Sequence, residues 1–244
     1  MKEKNYQKWI FNFVFLTMIF SVIFLIYRIT VAPETTTDKT VMIKSDYSLM
    51  FSQSVLGIIA MLLPSIVSRK LRIEIPSNMM LLYVIFLYCA IFLGEVRSYY
   101  YDVPHWDTIL HGFSGAMLGA VGFSFVSLLN NSDNIPMNLS PSFVAMFAFC
   151  FALMLGVFWE VYEYSFDGLW GLNMQKFMTE AGVEFVGRLA LHDTMKDLIV
   201  DAIGAFTLSL FGYFSLKYKT KFVEGFLIKK IKFKEKRADR YETL

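Results

Sequence analysis

The sequence predicts an all-α membrane protein with about six transmembrane helices. Of its 244 residues, 56% are hydrophobic and only 18% are charged, whereas soluble domains average about 25% charged residues. The apolar residues are concentrated in six long stretches, and a helix needs about 20 such residues to cross the hydrocarbon core. This pattern excludes a soluble enzyme, a disordered protein and a secreted disulfide scaffold.

The predicted spans follow the apolar stretches in chain order. They cover residues 9–27, 49–67, 79–93, 108–129, 142–160 and 194–216. Pro64 falls near the end of the second span, where membrane helices tolerate a kink. The first span follows three lysines but is longer than the apolar part of a usual signal peptide, and no small-residue cleavage site follows it, so we interpret it as a signal anchor. Cys89 and Cys150 lie within spans and are interpreted as small apolar residues.

Basic residues predict the orientation of the spans, because they accumulate on the cytoplasmic side. With the N-terminus inside, 16 of the 23 Lys and Arg residues fall on the inner side, and ten of these lie after span six. We therefore expect an N-in/C-in arrangement, with a membrane domain over residues 1–216 and a basic cytoplasmic tail over 217–244. The formal net charge of +2 argues against a nucleic-acid partner. Because six apolar spans are predicted, membrane lipids are the expected surroundings.

Two segments outside the spans have amphipathic patterns. Residues 221–240 mix apolar residues with lysines, which predicts a basic interfacial segment on the anionic inner leaflet. Residues 177–191 mix apolar residues with Glu180, Glu184 and Arg188, which predicts an amphipathic outer-loop helix lying over the mouth of the bundle. Such a helix would act as a lid and give a lipid-like substrate access from the side.

Polar residues cluster where spans four to six meet the outer face. Helical residues three or four positions apart share one face. One set occurs on each span: Asp107 with His111, then Glu160 with Glu163, then Asp193 with Asp197 and Asp201. A charge deep in a bilayer costs about 2.5–3.5 kcal/mol on insertion scales, and such groups usually face the interior of a helix bundle. We therefore expect the three sets to face a shared cavity.

The residue types in this cavity suggest a metal site. Several carboxylates with one imidazole suit Zn²⁺, Mn²⁺, Fe²⁺ or Mg²⁺, and no thiolate is available for a closed structural zinc site. The candidate ligands are Asp107, His111, Glu160, Asp197 and Asp201. Glu163 is the candidate general base. The first hypothesis is therefore a metal-assisted hydrolase or transferase acting on an envelope lipid.

Structural and transport interpretations remain open for the same residues. Asp193 is favoured as the N-cap of span six, and Glu163 and Asp167 could be solvated because they lie beyond the apolar run. Three outer cations could neutralise the carboxylates without a metal, namely Arg97, Arg188 and Lys196. The polar residues could also form a relay in a proton- or ion-coupled transporter, or lock together a non-catalytic envelope or interaction protein. Whether the protein is an enzyme, its substrate and its oligomeric state stay open.

The small residues of span four have two possible interpretations, a catalytic segment or close helix packing. Residues 112–119 read Gly-Phe-Ser-Gly-Ala-Met-Leu-Gly, which resembles the nucleophile segment of rhomboid intramembrane proteases. Those enzymes use a histidine on a later span, whereas span six has none below His192. We expect close helix packing here, because small residues at helix contacts give the same pattern.

Taken in order, three motifs resemble the YjdF-like family of bacterial inner-membrane proteins. They are Asp107-x-x-x-His111-x-x-x-Gly115, Trp159-Glu160-x-x-Glu163-Tyr164 and Asp193-Thr194-x-x-Asp197-x-x-x-Asp201-x-x-Gly204-Ala205. The order of acidic and histidine motifs is also similar, more loosely, to that of VanZ-like proteins, which are associated with tolerance of glycopeptide antibiotics. The resemblance covers roughly residues 79–215 and implies a multi-pass protein of the bacterial plasma membrane, without a settled activity.

Overall fold

The computed structural model describes residues 2–36, 41–130, 138–179, 183–220 and 224–231. Helices account for most of this part of the chain. In order they are α1 (Lys2–Val31), α2 (Lys44–Leu71), α3 (Ser77–Leu87), α4 (Tyr99–Asp102), α5 (Trp106–Asn130), α6 (Pro141–Trp170) and α7 (His192–Lys217). A π-helical segment (Tyr88–Val96) extends α3. Within the described ranges, six helices are long and apolar enough to cross a membrane, which confirms the predicted fold class.

Helix α6 extends ten residues beyond its predicted end at position 160. Ser140 caps its start by accepting a hydrogen bond from the Phe143 N–H at 3.3 Å, and Gly171 ends it in the left-handed region with φ 66°, where glycine has no steric penalty. The apolar pattern stops early because Glu163 and Asp167 interrupt it. Both side chains are nevertheless buried, so neither is solvated as the sequence allowed.

The helices pack in two groups. Helices α1, α2 and α3 share a buried cluster that includes Met18, Met61 and Val84. Helix α5 packs against both α6 and α7, and the core of this second group includes Phe123 and Val144. Large apolar side chains also cover the outside of the bundle. Such extensive exposed apolar surface marks contact with membrane lipid.

Helices α5 and α7 approach each other closely at glycines. A Cβ atom on Gly204 would overlap the carbonyl oxygen of Gly112, and a Cβ on Gly115 would lie 2.9 Å from the Cα of Asp201. Small residues allow backbones to come this near. The glycines of residues 112–119 therefore serve close packing, as expected, and this packing brings the polar outer halves of α5 and α7 together.

The described part of the tail folds onto the inner end of the bundle. Strand β2 (Lys229–Lys230) pairs antiparallel with β1 (Ile73–Glu74), which follows α2. The buried Ser124 hydroxyl donates to the carbonyl of Phe226 at 2.9 Å. Since β1 joins α2 to α3, this pairing places the tail and that connection on one face, as an even number of spans requires. The interfacial segment predicted over 221–240 lies mostly outside the described residues, and the boundary at 216 stays a prediction.

The outer-loop helix predicted over residues 177–191 is not formed by the described residues of that segment. Phe185 donates its N–H to the carbonyl of Phe177 at 2.9 Å, an antiparallel bridge joins Met178 to Glu184, and one 3₁₀ turn spans Gly187–Leu189. Gly187 has φ 64°, which a helix interior does not allow. Val186 is 86% exposed, so the apolar residues that suggested a helix do not all pack on the bundle.

Candidate metal centre

The outer ends of α5 and α7 place His111 among three aspartates. Its Nδ1 atom lies 3.4 Å from Oδ2 of Asp201. Its Nε2 atom lies 3.7 Å from Oδ1 of Asp107 and 3.8 Å from Oδ2 of Asp197. Asp107 is one turn from His111 on α5, and Asp197 is one turn from Asp201 on α7. The predicted i, i+4 faces of the two helices therefore meet.

The spacing on the Nε2 side suits an ion between the groups. Both separations exceed the 2.7–3.2 Å typical of an N–H···O hydrogen bond. One ligand atom each from Asp107, His111 and Asp197 lies within 4.8 Å of the others, and this is the group with metal-ligand spacing among the described residues. In a tetrahedral site with metal–ligand bonds of about 2.0–2.1 Å, ligand atoms lie about 3.3–3.4 Å apart. A small inward movement would complete such a site.

Asp197 supplies the strongest sign that a partner belongs here. Its relative exposure is 1%, and its Oδ1 atom is buried with no hydrogen-bond partner. Leaving a buried polar atom unpaired costs about 1–3 kcal/mol, and more when the group is charged. Buried charges are normally paired or coordinate metals. The free oxygen of Asp197 is therefore available to a cation.

Asp201 occupies a different position from the other two aspartates. Its Oδ2 faces the Nδ1 of His111, and its Oδ1 accepts a hydrogen bond from the Ser114 hydroxyl at 3.1 Å. With the Nδ1 proton directed at Asp201, the Nε2 lone pair of His111 points toward Asp107 and Asp197. Metal-ligating histidines commonly have such a carboxylate partner on the other ring nitrogen. Asp201 is thus placed to orient His111.

Glu160 and Glu163 approach the cluster from α6 and are both buried. Oε2 of Glu160 accepts a hydrogen bond from Nε2 of Gln175 at 3.3 Å, while Oε1 is buried without a partner. Neither glutamate belongs to the group with metal-ligand spacing among the described residues. Glu163 interacts electrostatically with Glu160 and His111. Helix α6 therefore adds two carboxylates beside the His–Asp group.

An outer loop closes the site. Asp167 accepts hydrogen bonds from the backbone N–H groups of Met174 and Gln175 at 2.7 and 2.9 Å, which holds the loop against the end of α6. The Gln175 side chain also donates to Thr194 at 3.0 Å, so it bridges α6 and α7. The next residue, Lys176, has φ 46°. This turn directs the lysine into the cluster.

Lys176 supplies the counter-charge. Its ammonium pairs with Asp107, and it lies 3.5 Å from Oδ2 of Asp193. Burial alone would lower the pKa of Lys176, but the carboxylates of Asp107 and Asp193 outweigh burial and raise this pKa. The side chain is therefore a cation at neutral pH, and its single positive charge faces several carboxylates.

Two sequence interpretations of the neighbouring charges need correction. Among the described residues, Lys176 forms the direct ion pairs to the cluster, whereas the sequence interpretation without a metal offered Arg97, Arg188 and Lys196 as the neutralising cations. Asp193 is not the N-cap of α7, because the helix begins at His192 and Leu191 holds the cap position. Asp193 instead faces Lys176. Side-chain pairing across the loop, rather than helix capping, fixes its place.

Sequence reasoning also missed polar residues that support the site. Lys176 and Gln175 lie in a loop, where no periodicity indicates which way a side chain points. Glu95 on the π-helical segment accepts a hydrogen bond from Gln53 of α2 at 3.1 Å. Glu95 interrupts the apolar end of span three just as Glu160 interrupts span five. The same criterion could therefore have found it.

Replacing Lys176 with glutamine is expected to lower stability by about 1 kcal/mol, the upper end for ion pairs near a surface. The variant removes the positive charge beside Asp107 and Asp193. Thermal unfolding in detergent at low and high salt measures the effect, and the difference should shrink at high salt because ions screen the pairs. Lys70→Gln is the control, since Lys70 is exposed at the other end of the bundle. Equal changes in the two variants would contradict this role.

Comparison with known proteins places the chain in a family. A protein from Thermotoga maritima described as uncharacterised is 28% identical over 152 residues, which cover 62% of this chain and 69% of that protein. No solved structure matches. The resemblance to YjdF-like and VanZ-like proteins stays a prediction. Residues 14–218 match a model described as a predicted membrane protein, and the chain therefore belongs to the DUF2238 family of predicted membrane proteins.

Proposed function

We propose that this multi-pass protein binds a divalent metal ion at the outer ends of spans four to six and uses it in hydrolysis or group transfer on an envelope lipid. The observation that carries the proposal is the Asp107, His111 and Asp197 group, whose ligand atoms lie within 4.8 Å of one another. The unpartnered, buried Oδ1 of Asp197 adds support. Asp201 would orient His111 without binding the ion itself, and Glu160 would be an additional ligand.

The donor set limits the choice of metal. Two carboxylates and one imidazole suit Zn²⁺, Mn²⁺ or Fe²⁺, and Mg²⁺ fits with several retained waters. Three protein ligands leave a coordination position for water or substrate, which is the arrangement of catalytic rather than structural zinc sites. When bound, the ion would supply Lewis acidity to a water or substrate oxygen.

The level of the site in the membrane favours a lipid headgroup as substrate. Aromatic side chains contact one another along the outer end of α6, from Trp159 through Tyr162 and Phe166 to Trp170. Trp and Tyr are enriched where the hydrocarbon meets the headgroups. Glu160 and Glu163 lie on the same stretch of α6. These aromatic residues support a position of the carboxylate cluster at the depth of the ester and phosphate groups of outer-leaflet lipids.

Glu163 remains our candidate for the general base. It is buried beside Glu160 and within electrostatic range of His111, and it is not held in an ion pair among the described residues. A carboxylate in that position can take a proton from a nucleophile that approaches the His–Asp group. We assign the general-base role to Glu163 from its position, because the carboxylates nearer to His111 are already assigned to binding the ion or to orienting His111.

The alternative of a proton- or ion-coupled transporter finds less support. Below Asp201, the buried face of α7 continues through Ala205, Ser209, Gly212 and Ser215. A relay across the membrane needs titratable groups or a water-filled path, and this face offers only hydroxyls. An enclosed site near one surface therefore fits the described residues better than a conduit.

Metal analysis of the purified protein tests the proposal. After chelation and reloading with Zn²⁺ or Mn²⁺, we expect one ion per chain, and a higher unfolding temperature because a ligand that binds only the folded state stabilises it. His111→Ala and Asp197→Asn should abolish both effects. His192→Ala is the matched control, since His192 is exposed at the same end of the bundle. A wild-type protein that takes up no ion would remove the mechanism and leave a structural or interaction role for the cluster.

A further inference from the structure

A cavity of about 550 Å³ lies away from the carboxylate cluster, between α1, α2 and the π-helical segment. Arg28, Tyr47 and Arg97 line it at one end, and Phe24, Leu25 and Phe92 are among its apolar lining residues. Arg28 is in the last turn of α1, Tyr47 is in the first turns of α2, and Arg97 directly follows the π-helical segment. These three positions share the outer end of the bundle.

Arg28 is held in place but retains free hydrogen-bonding capacity. It donates to the hydroxyl of Tyr47, and its guanidinium carbon lies 4.7 Å from the centre of the Tyr47 ring. Its Nε atom is buried with no hydrogen-bond partner. Within the part of the chain that the structure describes, no carboxylate lies within ion-pair distance of Arg28 or Arg97. Two guanidinium groups therefore line the cavity, and no described carboxylate pairs with either of them.

The cavity is about as long as the hydrocarbon part of one lipid leaflet is thick. Its lining extends along α1 from Arg28 down to Thr17, which is about 16 Å at 1.5 Å per residue and roughly half of a 30 Å hydrocarbon core. Phe20 and Phe24 border it and are more than half exposed on the surface of the bundle. An acyl chain can therefore enter between them from the membrane.

We propose that this cavity binds an anionic phospholipid of the outer leaflet, with its phosphate between Arg28 and Arg97 and an acyl chain along Phe20 and Phe24. Arginine binds phosphate oxygens through paired N–H donors, and the free Nε of Arg28 supplies one of them. The apolar wall below the two arginines matches a chain rather than water. This site is separate from the His–Asp group and does not depend on a bound metal.

Native mass spectrometry of the full-length protein in detergent tests the site with phosphatidylglycerol as the probe. The wild type should retain one phosphatidylglycerol that survives detergent washing. Arg28→Gln and Arg97→Gln should each lower its occupancy about tenfold, the effect of losing one charge-assisted hydrogen bond. Arg97 is exposed, so the second variant keeps the fold if the first does not.

The controls separate a phosphate-binding site from general lipid contact. Lys44→Gln should retain the lipid, because Lys44 lies at the same end but pairs with Glu34. Diacylglycerol with the same chains, which lacks the phosphate, should not be retained, and excess inorganic phosphate should not displace the phospholipid. Equal occupancy in the arginine and Lys44 variants would overturn the proposal. Retention of diacylglycerol, or displacement by free phosphate, would overturn it as well.

Discussion

Replacing Gly204 with alanine is expected to separate α5 from α7 and to destabilise the protein by about 3 kcal/mol or more, the upper part of the range for overpacking. A Cβ atom at this position would overlap the carbonyl oxygen of Gly112 and lie 3.1 Å from the backbone nitrogen of Ala116. Both are backbone atoms of α5, so no side-chain rotation can make room. The helices must move apart, and this movement would also break the contact between His111 and Asp201.

Thermal unfolding of the purified protein in detergent measures this effect. Gly168→Ala is the matched control, because a Cβ at Gly168 in α6 meets nothing within 4 Å. Alanine is favoured over glycine in a helix by about 0.8–1.0 kcal/mol, so the control should be as stable as the wild type or more so. If Gly204→Ala unfolds at the wild-type temperature, the close approach of α5 and α7 is wrong.

Replacing Asp201 with asparagine is expected to weaken metal binding about 10–100-fold while leaving the three ligands in place. Asn has nearly the shape of Asp, which matters because Gly156 packs against this carboxylate. The substitution removes the charge that faces Nδ1 of His111. The imidazole then loses its preferred tautomer and orientation, and Nε2 becomes a poorer ligand.

The protein is first stripped of metal with a chelator. Isothermal titration calorimetry with Zn²⁺ then measures the affinity for the ion. Ser209→Ala is the control because Ser209 is buried two turns further along the same face of α7, where it should not influence the ion. Affinity within twofold of the wild type in Asp201→Asn would contradict the orienting role. Equal losses in both variants would indicate a general effect on α7.

The spans and the polar helix faces could be predicted because both depend on periodicity. Six apolar stretches identify six helices, and the spacing of Asp107 and His111, or of Asp197 and Asp201, places each pair on one face. Topology then brings the outer ends together. The spacing of Glu160 and Glu163 likewise predicted a shared face, and both side chains are buried. Asp167 lies beyond that pattern, and its burial could not be predicted because its partners are backbone amides of the following loop.

The loop that closes the site could not be predicted from pattern alone. Apolar residues over 177–191 suggested an amphipathic helix, yet Gly187 and the pairing of Phe177 with Phe185 favour an irregular turn structure. Lys176 reaches Asp107 because Asp167 binds two backbone amides of the loop. Such a contact depends on tertiary geometry rather than on local sequence.

The buried aspartates of α7 also affect how the chain enters the membrane. Asp197 and Asp201 together raise the free energy of inserting α7 alone by about 5–7 kcal/mol. Each Leu, Ile, Phe or Val lowers it by only about 0.3–0.6 kcal/mol. Both aspartates contact His111 of α5 in the folded protein, and α5 is synthesised earlier. We therefore expect α7 to leave the translocon efficiently only when α5 is already present beside it, so that biogenesis of the last span depends on an earlier one.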